Sequence, residues 1–153
     1  MAGERSFSVR EATPDDVDAI APLFDEYRRF FTGRPDLEVS RSFLAERVRL
    51  GESVVLTAFE NGEAAGFLQL YPLFSSWYCR RQWFLSDLYV AEPFRKRGAG
   101  RELVRACLDH AARTQARAVL VELPFSEPHL VEFYGRLGFA KDDVFELYRA
   151  VVS

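Results

Sequence analysis

The sequence predicts an α/β domain built on a mixed sheet, and two features point to it. Runs with strand character and runs with helical apolar spacing follow one another in the order β-α-α-β-β-β-α-β-α-β across 153 residues. Two of the strand-like runs are joined by Asn61-Gly62, a dipeptide suited to a type I′ hairpin turn, so that pair is antiparallel.

The elements follow in order. Phe7-Ser8-Val9-Arg10 alternates like a first strand. Thr13-Pro14-Asp15-Asp16 opens a helix: Thr caps it, Pro fits the first turn and the acids complement the helix dipole. Val17, Ile20, Phe24 and Tyr27 then form one apolar stripe. A polar break at Thr32–Asp36 separates a second helix, from about Ser40 to Leu50, which Gly51 stops. Strands are expected at Ser53–Glu60 and Ala64–Tyr71, then a loop or irregular extension over Pro72–Arg81, then a strand over Gln82–Val90. Leu103, Val104, Cys107, Leu108 and Ala111 mark a third helix. Ala118–Leu123 reads as a strand, a short helix follows it, and a last strand is expected near Phe145–Val151.

Length and composition set the bounds. The chain makes one domain, placed at residues 5–153, and is long enough to bury a real core. Its net charge of −3 argues against nucleic acid as a partner and permits a cationic substrate. No apolar run is long enough to cross a membrane, and Met1–Ser6 lacks the apolar core of a secretory signal. The chain therefore reads as cytoplasmic, without a membrane partner. Cys79 and Cys107 have no metal or redox spacing, Cys107 falls on an apolar helix face, and His110 and His129 are isolated, so no metal site is expected.

The chemistry points to Arg95-Lys96-Arg97-Gly98-Ala99-Gly100, set between a strand and a helix. A glycine pair at a helix N-terminus leaves backbone N–H groups open to an anion such as pyrophosphate, and the dipole favours it. The run is not a P-loop, which needs G-x-x-x-x-G-K-[ST]. Nor is it a dinucleotide fingerprint, because Leu103 stands where the third glycine would be. It does match R/Q-x-x-G-x-G/A, the cofactor loop of the GNAT superfamily of N-acetyltransferases. A second run, Phe133-Tyr134-Gly135-Arg136-Leu137-Gly138-Phe139, resembles the F-Y-x-x-x-G-F signature of the same superfamily, in the same order along the chain. The resemblance covers nearly the whole sequence. The stretch from Leu85 to Gly100 looks most like the diamine and polyamine acetyltransferase branch.

The resemblance implies a mostly antiparallel mixed sheet, flanked by helices, with one splayed parallel strand pair. It implies acetyl-CoA as co-substrate and a primary amine of a small cationic molecule as acceptor, with a homodimer common in the family. Leu88, Tyr89 and Val90 would offer backbone groups to the pantetheine arm, and Arg95, Lys96, Arg97, Gly98, Ala99, Gly100 and Arg101 would hold the pyrophosphate. Tyr134 would donate a proton or hydrogen bond to the departing thiolate. Three routes are open for the base: Asp87, Glu122, or an ordered water. Two positions depart from the family pattern. Ser86 stands where the polyamine branch has a glutamate, and Glu127 where many relatives have an asparagine, although Ser126 and Pro128 still fit a helix start. Strand alternation would send Ser86 and Asp87 to opposite faces, which leaves Asp87 a structural hydrogen-bonder as readily as a base. Tyr27, Phe30, Phe31, Asp36, Tyr71, Phe74, Ser75, Ser76, Trp77 and Tyr78 are the material for an acceptor pocket, where aromatics beside acids suit an ammonium group. Rival readings are a non-catalytic acyl-CoA sensor, an enzyme for longer acyl groups, and an acetyltransferase for protein lysines or N-termini.

Overall fold

The computed structural model describes residues 7–153. Residues 1–6, and with them the start of the expected domain, lie outside the described residues. Five strands form one sheet in chain order: β1 (Ser8–Glu11), β2 (Val54–Glu60), β3 (Glu63–Ser75), β4 (Arg80–Val90) and β5 (Val119–Val121). The first three pairings are antiparallel, and β4 runs parallel to β5. Asn61 (φ 49°) and Gly62 (φ 81°) turn β2 into β3 with the two positive φ values of a type I′ turn.

The chain divides into two compact units, one ending at Glu122 and one beginning at Leu123. The first holds the sheet and helices α1 (Val17–Thr32), α2 (Leu37–Arg49) and α3 (Ala99–Arg113). Helix α1 lies on one face of the sheet, where Phe24 and Tyr27 set their rings edge-on to Phe67 of β3 at 5.9 and 6.0 Å. Helix α3 lies on the other, where His110 meets the Trp83 ring at 5.0 Å and Thr114 accepts from Trp83 Nε1 at 2.8 Å. Between them Ile20, Leu44, Phe67, Leu68, Leu70, Leu85, Leu103 and Val104 are fully buried. Each large apolar side chain so buried contributes about 1.5–3 kcal/mol before the entropy of ordering it. Cys107 is a core residue, as expected, and burial pushes its thiol up to about 12. The second unit holds α4 (His129–Arg136).

Three boundaries differ from the sequence reading. Helix α2 starts at Leu37 because Asp36 caps it, accepting from Val39 N–H at 3.1 Å. Pro72–Arg81 is not a loop: β3 and β4 continue as a two-stranded hairpin to Ser75 and Arg80. The β2 partner ends at Leu70, so Pro72 sits where β3 has one neighbour and a missing N–H is tolerated. Arg81 holds this extension together by stacking on Phe74 and Trp83 at 5.0 and 5.2 Å. Lastly, Phe145–Val151 forms no strand. Asp142 Oδ1 accepts from the N–H groups of Val144 and Phe145 at 2.8 Å each, a local turn that competes with ladder pairing.

One buried carboxylate joins α1 to α2. Asp25 Oδ1 accepts from Asp36 N–H at 2.9 Å and from the Ser40 hydroxyl at 2.8 Å, with the Arg28 guanidinium at 3.8 Å. Burial pushes this carboxyl up, but the Ser40, Asp36 and Arg28 contacts together outweigh it and hold the group below the usual range. Its stabilising contribution is therefore present above the unfolded pKa of about 3.9 and is lost as pH falls through the folded value. Asp25→Ala strands two donors and should lower stability by about 2 kcal/mol or more, read as a lower urea midpoint at neutral pH. The deficit should shrink on acidification. An unchanged midpoint would show that α2 does not depend on this link.

Candidate active site

The antiparallel register of β3 and β4 slips by one residue in the middle. Gln69 opposes Asp87 and Leu70 opposes Leu85, so Ser86 is an extra residue on β4, a β-bulge. Strict alternation from Trp83, which faces α3, would turn Asp87 the same way. The bulge reverses this. Asp87 bonds with Gln69 and with Tyr27 of α1, and Tyr89 beyond it packs 6.2 Å from the Tyr27 ring. The expectation that Ser86 and Asp87 part to opposite faces is thereby corrected: both line one cavity.

That cavity has a volume of about 270 Å³ and lies between α1, α2 and the middle of β3 and β4. Phe24, Tyr27, Val39, Phe43 and Tyr71 form its apolar wall, with Arg28, Ser86 and Asp87 as further lining. Asp87 is only 9% exposed. Burial pushes its carboxyl above the ordinary range, and hydrogen bonds from Gln69, Tyr27 and Ser86 counter this only in part. Gln69 Nε2 donates to Asp87 Oδ2 at 2.9 Å, while Gln69 Oε1 is buried without a hydrogen-bond partner among the described residues. Burial, then the Asp87 charge, pushes the Tyr71 phenol up to about 12, so it stays protonated. A buried carboxylate with a raised pKa, facing a small cavity, is equipped to take a proton.

The parallel partner stops short. Among the described residues β4 and β5 pair only over Trp83–Leu85 and Val119–Val121, and no strand pairs with β4 from Ser86 to Val90 on its β5 side. Leu88, Tyr89 and Val90 lie on this open edge. Arg95 closes the turn after it, with Nε donating to the Val90 carbonyl at 2.8 Å and the guanidinium over the Tyr89 ring at 5.5 Å. Arg97 is tied back to β2 through Glu60 and lies over the Phe7 ring at 5.2 Å. Both arginines therefore shape the loop. Gly98 has φ +89°, a left-handed conformation that suits glycine, and no side chain caps α3. The N–H groups of Ala99, Gly100 and Arg101 begin that helix, and first-turn amides have no helical acceptor. Lys96 is exposed, on a residue with φ 61°. First-turn donors and an open backbone edge suit a phosphate-bearing arm.

Other expected residues fall elsewhere. Glu122 is exposed, one residue past the end of β5. Asp36 is the cap of α2 and is absent from the cavity wall. Phe30 lines a separate open groove, and Phe74, Trp77 and Tyr78 are exposed on the β3–β4 hairpin. Of the expected pocket material only Tyr27 and Tyr71 line the smaller cavity. Sequence reasoning missed Gln69, although a glutamine inside Phe67-Leu68-Gln69-Leu70 was a visible signal of a buried polar contact.

Tyr134 belongs to the second unit, on α4, where it is 4% exposed and sets its ring against Phe133 at 5.0 Å and Phe139 at 5.2 Å. The motif has a local logic. Gly138, with φ +95°, reverses the chain after the helix, and Phe139 N–H returns to the Tyr134 carbonyl at 3.1 Å, which brings the Phe139 ring back onto Tyr134. Glu127 lies 3.5 Å from His129 Nδ1 in the same unit.

Comparison with known proteins agrees with this geometry. The model of the acetyltransferase (GNAT) family matches residues 20–139. A Bacillus subtilis protein named "Uncharacterized N-acetyltransferase YhfO" is 38% identical over 141 residues, 92% of this chain and 95% of that protein. A Haemophilus influenzae "Probable acetyltransferase" is 30% identical over 132 residues, 86% and 90% of the two chains. A solved structure described as "Crystal structure of a probable acetyltransferase" superposes with a TM-score of 0.91 at 35% identity, covering 95% of this chain and 98% of that one. These matches support the superfamily and lend nothing to the polyamine branch in particular. The chain belongs to the GNAT family and is an acetyltransferase.

Proposed function

We propose that this enzyme transfers the acetyl group of acetyl-CoA to a primary amine on a small molecule that arrives as a cation. The observation that carries the reading is Asp87: a buried carboxylate turned into a small cavity by a bulge, on the strand whose next residues form an open edge. Acetyl-CoA supplies an activated acyl carbon and a thiol leaving group. Leu88, Tyr89 and Val90 would hold its arm by backbone hydrogen bonds, and the amides of Gly98, Ala99, Gly100 and Arg101, with Lys96 nearby, would hold its phosphates. An alkyl amine resembles lysine, with a pKa of about 10.4, so it reaches the cavity as an ammonium and must lose a proton. Asp87 takes that proton from nitrogen. The neutral nitrogen then attacks the thioester carbon and the C–S bond breaks; the likeness of the Phe-Tyr-x-x-x-Gly-Phe run to the superfamily signature gives Tyr134 the role of protonating the departing sulfur, and the second proton shed by the nitrogen restores the phenol. A cavity of about 270 Å³ favours a small acceptor over a protein side chain. A buried base favours an enzyme over a passive acyl-CoA sensor.

The direct test is amine-dependent thiol release from acetyl-CoA, followed by mass detection of the acetylated amine. Calorimetry should show saturable acetyl-CoA binding that Gly100→Glu abolishes through steric and charge conflict. Wild-type affinity in a folded Gly100→Glu variant would overturn the loop assignment.

Asp87→Asn separates catalysis from stability. Because burial holds the Asp87 carboxyl above the ordinary range, the folded chain binds this proton more tightly than the unfolded chain does. Its stability contribution is complete below the unfolded pKa of about 3.9 and is lost as pH rises through the folded value. Asp87→Asn should therefore be more stable than wild type at pH 7, with the gain vanishing toward pH 4. Turnover should fall by about 10²-fold or more, and the rise of kcat/KM with pH due to Asp87 should disappear. Undiminished turnover would leave water or Glu122 as the base.

A further inference from the structure

The cavity carries two charges of opposite sign. Among the described residues, Asp87 and Arg28 are the only charged residues on its wall, and the rest of that wall is mainly aromatic. Arg28 stands on α1, and its side chain is 27% exposed. Every hydrogen bond it makes uses Nη1: to the Ser40 hydroxyl at 2.7 Å and the Asp36 carbonyl at 3.5 Å, with Asp25 at 3.8 Å. Nε and Nη2 form the other edge of the guanidinium fork, and they have no partner among the described residues. The Asp25 carboxylate offsets part of the charge but leaves those donors unused. Anchoring through Nη1 fixes the plane of the fork, which lowers the entropy of binding a planar acceptor.

Charge complementarity then discriminates between acceptors. A polyamine brings two or more ammonium groups to a wall with one carboxylate and one guanidinium. The second ammonium would find no anion there and would face Arg28. Arg47, whose field reaches Tyr71, adds another cation nearby, although Glu46 and Glu52 pair with it. A zwitterion matches both charges: its ammonium meets Asp87 and its carboxylate meets the free edge of Arg28, where a bidentate pair is the favoured geometry. The aromatic wall of Phe24, Tyr27, Phe43 and Tyr71 takes an apolar substituent. The volume, about 270 Å³, lies below the roughly 300–1,000 Å³ that drug-sized ligands occupy, and so fits a compact molecule.

We propose that the acceptor is a free amino acid with an apolar side chain, and that Arg28 selects it by binding its carboxylate. This rests on the reading of the cavity as the amine site of an acetyltransferase.

The test uses matched pairs that differ by the carboxylate alone: phenylalanine against phenethylamine, and leucine against isoamylamine, each offered with acetyl-CoA, with spermidine as a third arm. Phenylalanine and leucine in both configurations cover the stereochemistry. Wild type should favour the acid over its matched amine by about tenfold or more in kcat/KM, the weight of a charge-assisted hydrogen bond, and should use spermidine poorly. Arg28→Gln keeps an amide donor for Ser40 but lacks the charged fork; it should collapse that preference toward one, chiefly by raising KM for the acid. Arg28→Lys restores the charge without the fork and should recover part of the preference. The proposal is overturned if wild type uses the matched amine or spermidine as well as the acid, or if Arg28→Gln lowers both members of a pair equally, as loss of a helix contact would. If no amine of either kind is acetylated, the amine-acceptor reading itself falls, and the proposal with it.

Discussion

The geometry of the site hangs on one extra residue. Ser86 has no partner across β3, and that single insertion rotates the rest of β4 by half a pleat. Before it, Trp83 serves the α3 side of the core; after it, Asp87 and Tyr89 serve the α1 side. Without the bulge, Asp87 would be directed at α3 and the cavity between the first two helices would hold no carboxylate. The bulge lies next to the point where β4 and β5 cease to pair. One irregularity therefore turns the carboxylate into the cavity beside the start of the open backbone edge.

Two buried carboxylates show how the same group is used in opposite ways. Asp25 is surrounded by donors, its carboxyl is held low, and it ties α2 to α1. Asp87 is also hydrogen-bonded, yet burial dominates and its carboxyl is held high. A high value destabilises the charged form and makes the group a better proton acceptor near neutral pH. The first carboxylate builds the wall of the cavity, through the placement of α2. The second lines that cavity with its charged form disfavoured, at some loss of stability. The loop before α3 follows the structural pattern: Arg95 and Arg97 are held by Val90 and Glu60, and no side chain caps the helix start at Gly98–Gly100.

Much of this was legible in the residues. Asn61-Gly62 announced the hairpin because positive φ at two successive positions restricts the choice of residue. The Gly98-x-Gly100 run and the Phe-Tyr-x-x-x-Gly-Phe run were legible for a related reason, since Gly98 and Gly138 occupy left-handed conformations. The bulge was not legible. Nothing in Leu85-Ser86-Asp87-Leu88 marks a slip of register, because the slip is set by the partner strand. That hid the shared orientation of Ser86 and Asp87, although Asp87 itself was legible as a candidate base. Arg28 was hidden for a different reason. On a helix an arginine reads as solvated, and its place in a cavity wall depends on how α2 lies against α1. At the start of the expected strand Phe145–Val151, a local aspartate turn at Asp142 takes the N–H groups of Val144 and Phe145 instead.

The most direct test of the bulge account is a site-resolved titration of the Asp87 carboxyl by carbon-13 NMR, assigned by its loss in Asp87→Asn. If Asp87 is turned toward the cavity between α1 and α2 and held there by Gln69, Tyr27 and Ser86, its midpoint lies above the ordinary aspartate value of about 3.9. A midpoint at or below that value would mean a solvated or strongly ion-paired carboxylate, and would contradict the placement on which the account of the site depends.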